Sequence, residues 1–302
     1  MVIVDARSQD NRIISVIIAA HNEEAVLGGC LEALIAQRDA PLMQIVVSAN
    51  GCTDDTVKVA RRFGVEVIDR PESGKPGAMN AADKIAVGSA RIYLDADIIV
   101  PPDGVRAVLA RLDADSPPLA VVPHRRVNTK GRAWPVRGYF AINERLPVYR
   151  DGLFGRGMIT LSSDGRARFG EFPAMIADDL FVDSQFTAAE KAEANEVDVV
   201  VDAPYTTRDL MNRLVRVRRG NAEMRAAAAA GTIHLDVRAS DRWAWLRVAL
   251  PHPTLWACAA AYVTITVLAA RGAGRIPAAQ AGWGQDGSTR ARAQRWAQRA
   301  AQ

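Results

Sequence analysis

The feature that most limits what this chain can become is the unbroken apolar run Ile13 to Ala20, IISVIIAA. β-branched residues without polar alternation describe a strand covered on both faces, and such strands belong to parallel sheets sheathed by helices. Behind it, Val26, Leu27, Leu31, Leu34 and Ile35 recur at helical spacing, and Asn22 is placed to cap a helix starting at Glu23. The unit then repeats. Gln44 to Ser48 reads as a strand and Thr53 to Phe63 as a helix, with Asp54 and Asp55 favouring its N-terminal dipole and Gly64 stopping it. Further strands are expected at Val65 to Ile68, Arg91 to Leu94 and Leu119 to Val122, with helices at Ala78 to Ala86 and Asp103 to Leu112. Strand and helix in alternation imply a mostly parallel sheet.

With 302 residues and 49% hydrophobic content, the chain holds one large α/β domain with an appendage, or two small domains. A net charge of +4 and a pI near 9.1 suit an anionic small molecule or an acidic membrane face. The charge is too diffuse to argue for nucleic acid. Cys30, Cys52 and Cys258 are odd in number and lack C-x-x-C spacing, so a zinc or dithiol redox site is not indicated and they read as reduced thiols. Met1 to Arg12 carries Asp5, Arg7, Asp10 and Arg12 in place of the apolar run of a secretory signal, which leads us to expect the catalytic part in the cytoplasm.

Chemistry concentrates first in Tyr93-Leu94-Asp95-Ala96-Asp97-Ile98. Residues at i and i+2 of a strand share a face, so Asp95 and Asp97 are expected to reach one cation at the sheet's carboxyl edge. Hard oxygen ligands there suit Mg²⁺ or Mn²⁺ neutralising a diphosphate. The alternative is that Asp97 or Asp103 merely caps the next helix. From His124 to Pro173 periodicity fades while glycine and arginine rise, as expected of long connections that carry function at a sheet's edge. Ala177-Asp178-Asp179-Leu180 then opens a helical pattern through Ala189, and Val197 to Val201 reads as a late strand.

Five segments in order, IIAAHNEE, VVSANGCTDDT, SGKPGAMN, YLDADI and ADDLF, resemble the family-2 glycosyltransferases over roughly Ile13 to Arg219. The resemblance implies an α/β fold of the GT-A type, a mostly parallel nucleotide-binding sheet flanked by helices. It also implies inverting transfer from a nucleoside-diphosphate sugar to a hydroxyl, with a divalent metal. By motif position, donor contacts fall on Ala20, His21, Glu23, Asn50, Lys75, Asp95, Arg218 and Arg219. Metal contacts fall on Asp95 and Asp97, and the base on Asp179 with Asp178 beside it. Two departures stand out: Ala19 and His21 replace the family's usual proline and tyrosine, and Ala49-Asn50-Gly51-Cys52 replaces Asp-Asp-Gly-Ser. The family aspartate is expected to accept a hydrogen bond from the donor base. Asn50 can accept through its amide oxygen but can also donate, which leaves the base open.

Each assignment has a plainer counterpart. Gly74-Lys75-Pro76-Gly77 suits a turn bringing an ammonium to a diphosphate, or an ordinary loop with a solvated lysine. Asp178 and Asp179 are competent bases for a hydroxyl, or acids settled on a helix dipole. Arg218 and Arg219 offer guanidinium forks to phosphate, or form a solvated helix face. Gly155 to Met158 resembles the family's acceptor-side glycine loop.

The C-terminal part departs in composition. Val248 to Ala270 holds no formal charge, and Pro251 and Pro253 leave Thr254 to Ala270 as the expected helix. At about 1.5 Å per residue it reaches roughly 25 Å, short of the ~30 Å hydrocarbon core. Arg271, Arg275, Arg290, Arg292, Arg295 and Arg299 follow, so an in-plane or re-entrant segment fits better than a span, with a buried core or dimer helix as the alternative. Trp243, Trp245 and Trp256 suit an interface, and Thr289 to Ala301 reads as a basic helix or a disordered tail. The expected organisation is a catalytic domain over 1–240, with a donor half at 13–123 and an acceptor half at 124–240, followed by a hydrophobic segment and basic tail at 241–302. Expected partners are a nucleotide-sugar donor and a lipid-linked or envelope glycan acceptor, with peripheral contact at the inner face of the membrane. Two rivals remain: a sugar-phosphate nucleotidyltransferase, which should carry a glycine- and arginine-rich signature after the first strand where this chain has AAHNEE, and a non-catalytic scaffold.

Overall fold

In the computed structural model, which describes Ile3–Val4 and residues 12–275, the elements run β1 (Ile3–Val4), β2 (Ile13–Ala20), α1 (Leu27–Ile35), β3 (Leu42–Asn50), α2 (Thr56–Arg62), β4 (Glu66–Arg70), α3 (Lys75–Asp83), β5 (Ala90–Asp95), α4 (Gly104–Leu112) and β6 (Ala120–Asn128). They continue as α5 (Trp134–Asn143), α6 (Val148–Asp151), β7 (Met158–Leu161), α7 (Ser163–Arg166), α8 (Asp178–Asp183), β8 (Lys191–Asp202), α9 (Thr207–Ala229), α10 (Ala244–Ala249) and α11 (Trp256–Arg275). Two compact units result. The first holds the described residues up to Arg125 with Leu153–Ala174 and Gln185–Val200, and the second holds Arg126–Gly152, Met175–Ser184 and the described residues from Val201.

The eight-stranded sheet has the order β1-β3-β2-β5-β7-β6-β8, with β4 also paired to β3. β2, β3, β4 and β5 run parallel, while β7 runs antiparallel to both β5 and β6. β1 and β4 share one edge of β3, β1 opposite Met43 and Gln44 and β4 opposite Val46 to Asn50. The chain leaves β2 for β3 on one side and reaches β5 on the other, a reversal that opens a crevice beyond the strands' carboxyl ends. Register decides what lines it: Ala20 pairs with Ala49 and Ala19 with Asp95, so the ends of β2, β3 and β5 lie side by side. The apolar run behaves as its composition requires, with Val16, Ile17, Ile18 and Ala20 fully buried.

Several boundaries move, each for a local reason. α1 begins at Leu27, because Asn22 adopts a left-handed φ of 53° and Glu23 closes a turn, its carbonyl accepting from the Val26 and Leu27 amides. Asn22 therefore does not cap α1. α3 begins at Lys75, three residues early, with Pro76 inside the first turn, where a missing N–H costs nothing. α8 stops at Asp183 instead of reaching Ala189, and β8 spans twelve residues instead of five. The stretch without periodicity contains α5, whose buried residues include Val136, Tyr139, Phe140, Ile142 and Asn143. A helix buried on most sides shows no polar stripe to read.

In the second unit, α11 packs against α5 and α9. Tyr262 stacks on Tyr139 with ring centroids 5.1 Å apart, beside a cluster of Val136, Phe140, Leu210 and Ile265. The apolar helix is longer than Thr254 to Ala270: Pro253–Gly274 forms 22 residues, with an 18-residue stretch of mean hydropathy 1.5, long and apolar enough to cross a membrane. The basic helix expected at Thr289 to Ala301 lies outside the described residues.

One polar network sits within the first unit's core. The fully buried Gln44 accepts from Ser15 Oγ at 2.7 Å and from the Val87 amide at 2.9 Å, and donates to the Ile85 carbonyl at 3.0 Å. It joins two strands to the turn entering β5. Gln44→Leu orphans these buried groups and should lower stability by about 2–4 kcal/mol, which urea unfolding measures.

Candidate active site

The loops after β2 and β3 are stitched together by side chains. Asn50, only 2% exposed, donates through Nδ2 to the Ala20 carbonyl at 2.8 Å, while its Oδ1 accepts from the Gly74 amide at 2.9 Å. One amide thus ties the ends of β2 and β3 to the start of α3. His21 Nδ1 meets the Asn50 carbonyl, and Asn22 Oδ1 accepts from the Thr53 amide at 2.8 Å. The Glu23 amide donates to Thr56 Oγ1 at 2.7 Å, whose own amide donates to Asp54. Gly51, at φ 60°, lies so close to Ser73 that a Cβ would approach it within 2.9 Å.

At the end of β5, Lys75 Nζ reaches Asp95 Oδ1 at 2.8 Å. The structure therefore brings Asn50, Lys75 and Asp95 together, with Ala20, His21 and Glu23 on the adjoining loop. Asp97 departs from the expected strand alternation: β5 ends at Asp95, and the Ile98 amide closes a turn onto the Asp95 carbonyl at 3.2 Å, leaving Asp97 exposed. The acids still converge electrostatically. The Cys30 thiol is pushed from 9.0 to about 12 by burial first and then by the negative fields of Asp97, Asp95 and Glu23. Among the described residues, no three His, Cys, Asp or Glu side chains are grouped to hold a metal ion. Such a donor set fits a hard cation held by one or two carboxylates and completed by phosphate oxygens, and does not fit an all-protein cage.

Two arginines were not legible beforehand. Arg70 ends β4 and lies over the first turn of α3, where a Cβ on Gly77 would come within 2.9 Å of its guanidinium. Arg70 and Lys75 thus place two cations at the α3 N-terminus, itself a partial positive charge. Arg156, 1% exposed, stands between left-handed Gly155 and Gly157. It donates to the Pro123 carbonyl and to Glu193 Oε2, both at 2.9 Å, and Glu193 also meets His124. The Gly157 carbonyl accepts from the Asp95 amide at 2.8 Å, and a Cβ there would lie 2.4 Å from Ile98. The glycine loop is in this way clamped to the acidic turn. The glycines were a usable signal, but a carboxylate partner 37 residues away was not.

The remaining candidates belong to the second unit. Asp178 and Asp179 are the first residues of α8, both half-buried. Arg218 and Arg219 precede Gly220 on α9, where a Cβ would fall 1.7 Å from the Ile176 carbonyl. Glycine alone lets α9 touch the segment leading into the acidic pair. The buried Nε of Arg218 has no hydrogen-bond partner among the described residues.

The profile of the family described as Glycosyl transferase family 2 matches residues 15–165, half of the chain. The chain belongs to that family. Over 60 residues it is 37% identical to the 4,4'-diaponeurosporenoate glycosyltransferase of Staphylococcus aureus, a match spanning 20% of this chain and only 16% of that relative. Among solved structures it resembles the mannosyltransferase PcManGT of Pyrobaculum calidifontis in complex with GDP-Man and Mn²⁺, with TM-score 0.56, 19% identity, and coverage of 96% of this chain and 81% of the other. It also resembles the glucosyl-3-phosphoglycerate synthase of Mycobacterium tuberculosis in complex with phosphoglyceric acid, with TM-score 0.51, 19% identity, and coverage of 70% and 78%. These likenesses establish the GT-A fold.

Two outcomes follow from this geometry. In Asn50→Asp the carboxylate has no donor for the Ala20 carbonyl, so stability should fall by about 1–3 kcal/mol. The deficit should shrink as pH falls and the acid regains a proton to donate, which thermal melts across pH detect. For Cys30, a folded value raised above 9.0 means its stabilising effect is full below pH 9 and lost as pH rises toward about 12. At neutral pH the thiol should resist iodoacetamide until the protein unfolds, as mass spectrometry of denaturant-pulsed samples checks.

Proposed function

We propose that the chain transfers a sugar from a nucleoside-diphosphate donor to a hydroxyl, inverting the anomeric centre, with Mg²⁺ or Mn²⁺ as cofactor. The observation that carries this reading is the meeting of Asn50, Lys75 and Asp95 at the adjoining ends of β2, β3 and β5. The mannosyltransferase that the fold resembles is described in complex with GDP-Man and Mn²⁺, which supports it. On the donor side, Ala20, His21, Glu23 and Asn50 form the nucleoside end. Because the Asn50 amide already serves three backbone groups, two carbonyls through Nδ2 and one amide through Oδ1, its contact with a base falls to the second lone pair of Oδ1. Lys75, Arg70 and the α3 N-terminus attract the diphosphate, and Arg218 and Arg219 grip it. Asp95 and Asp97 hold the cation, which when bound neutralises charge on the departing diphosphate.

Asp179 takes the proton of the acceptor hydroxyl as its oxygen bonds to the anomeric carbon, and the electron pair of the breaking bond leaves on the diphosphate oxygen. Asp178 supports it. One displacement inverts the centre, and no covalent sugar intermediate is required. The donor half is residues 13–123 and the acceptor half 124–240, with 241–302 as a hydrophobic segment and basic tail. The acceptor is a lipid-linked or cell-envelope glycan, met at the cytoplasmic face of the membrane, a reading supported by the apolar character of α11.

A thermal-shift panel of UDP and GDP, with and without Mn²⁺, tests the donor half. Stabilisation of about 2.7 kcal/mol is expected at a hundredfold excess over Kd, for one base and only with metal. No response to any nucleoside diphosphate overturns the donor site. Asp179→Asn should lower transfer by about 10²–10⁴-fold while leaving that shift intact, and undiminished turnover would move the base elsewhere.

A further inference from the structure

The apolar helix α11 passes the length test for a membrane span, but its neighbours deny it that role. Its face bearing Ala259, Ala261, Ile265 and Ala269 is buried, Tyr262 stacks on α5, and a Cβ on Gly272 would lie 3.0 Å from Val215 of α9. α9 carries Arg208, Arg213, Arg216, Arg218, Arg219 and Arg225 against Asp209 and Glu223. A spanning α11 would drag that charged helix into hydrocarbon, where arginine is strongly disfavoured. The opposite face is different. Trp256, Ala260, Thr264, Val267 and Leu268 are exposed along one stripe ending at the exposed Arg271. The surface continues around the turn from α10, where Trp243, Leu250 and Trp256 are 58%, 66% and 59% exposed. Trp256 Nε1 donates to the Ala249 carbonyl at 3.2 Å, holding that corner in shape.

Charge identifies what covers this face. From Arg242 to Arg275 the sequence contains four arginines and no carboxylate. Asp241, just outside, pairs with Arg247, while the Arg242 guanidinium lies 5.5 Å from the Trp243 ring centroid. Tryptophans with polar edges and a rim of cations match the interfacial zone of a bilayer with anionic headgroups. A second copy of the chain, docked through the same patch, would set arginine rim against arginine rim.

We propose that the exposed face of α11, with the α10–α11 corner, seats the protein in the plane of an anionic lipid bilayer without crossing it. This deepens the membrane-side reading of the acceptor and rests on it for its purpose, but uses no residue of the donor site. The test is co-sedimentation of the full chain with phosphatidylcholine vesicles containing or lacking phosphatidylglycerol. Binding to the anionic vesicles, with a blue shift of tryptophan emission, should weaken about tenfold or more without phosphatidylglycerol or in high salt. Leu250→Ser with Leu268→Ser should weaken it about tenfold or more, with melting temperature and nucleoside-diphosphate shift unchanged. The proposal is overturned if the chain stays in the supernatant, if the double variant binds like its parent, or if bound protein resists both salt and alkaline carbonate as a spanning helix would. Dimerisation through the same leucines without vesicle binding also overturns it. Loss of the nucleotide response with vesicle binding intact would instead overturn the transferase reading alone.

Discussion

A single buried carboxamide, that of Asn50, holds three separate backbone segments in one place. Its donor end satisfies the Ala20 carbonyl and its acceptor end satisfies the Gly74 amide, two groups that burial would otherwise leave costly. Parallel pairing sets Ala20 beside β3, and the amide then carries the order across to the α3 N-terminus, which puts Lys75 against Asp95. An aspartate in this place could accept from Gly74 but not donate to Ala20. The asparagine that looked like a departure in ligand recognition thus also ties together the backbone around it.

Electrostatic opposition organises what lies beyond that tie. Lys75 at the α3 N-terminus, with Arg70 beside that first turn, pairs with Asp95, and the summed field of Asp95, Asp97 and Glu23 is felt by the buried Cys30 thiol. Asp97 stands exposed in its turn, and the Asp95 side chain, paired with Lys75, is 44% exposed. The function proposed above uses these opposed charges for a diphosphate and a hard cation together. The acidic turn is kept in position from the other side by Gly157, which Arg156 anchors through Glu193 and Pro123.

The second unit shows the same dependence on close approach. Gly220 lets α9 reach the Ile176 carbonyl, just ahead of Asp178 and Asp179, and places Arg218 and Arg219 on the turn that makes the contact. Gly138 plays a related part for α5, where a Cβ would lie 3.3 Å from that of Ala261 on α11. Small residues at these points set the spacing of the helices, and the apolar side of α11 that remains outside is what packing did not consume.

Much of the fold was legible because burial writes itself into composition. IISVIIAA has the pattern of a strand covered on both faces, and the alternation behind it implied a mostly parallel sheet. The residues that meet there, Asn50, Lys75 and Asp95, were legible as types at recognisable spacings. Helix starts were less so, since Asn22 turned left-handed and served Thr53 instead of capping α1. α5 was hidden because a helix buried on most sides has no amphipathic period. Local patterning and hydrophobicity, which act between near neighbours, were determined by the sequence alone. Only tertiary structure decided that Arg156 finds Glu193, that Arg70 lies over Gly77, that Asp97 leaves the strand, and which face of α11 stays exposed. Those outcomes depend on contacts between residues far apart in the chain, and no local pattern encodes a partner that folding has yet to bring near.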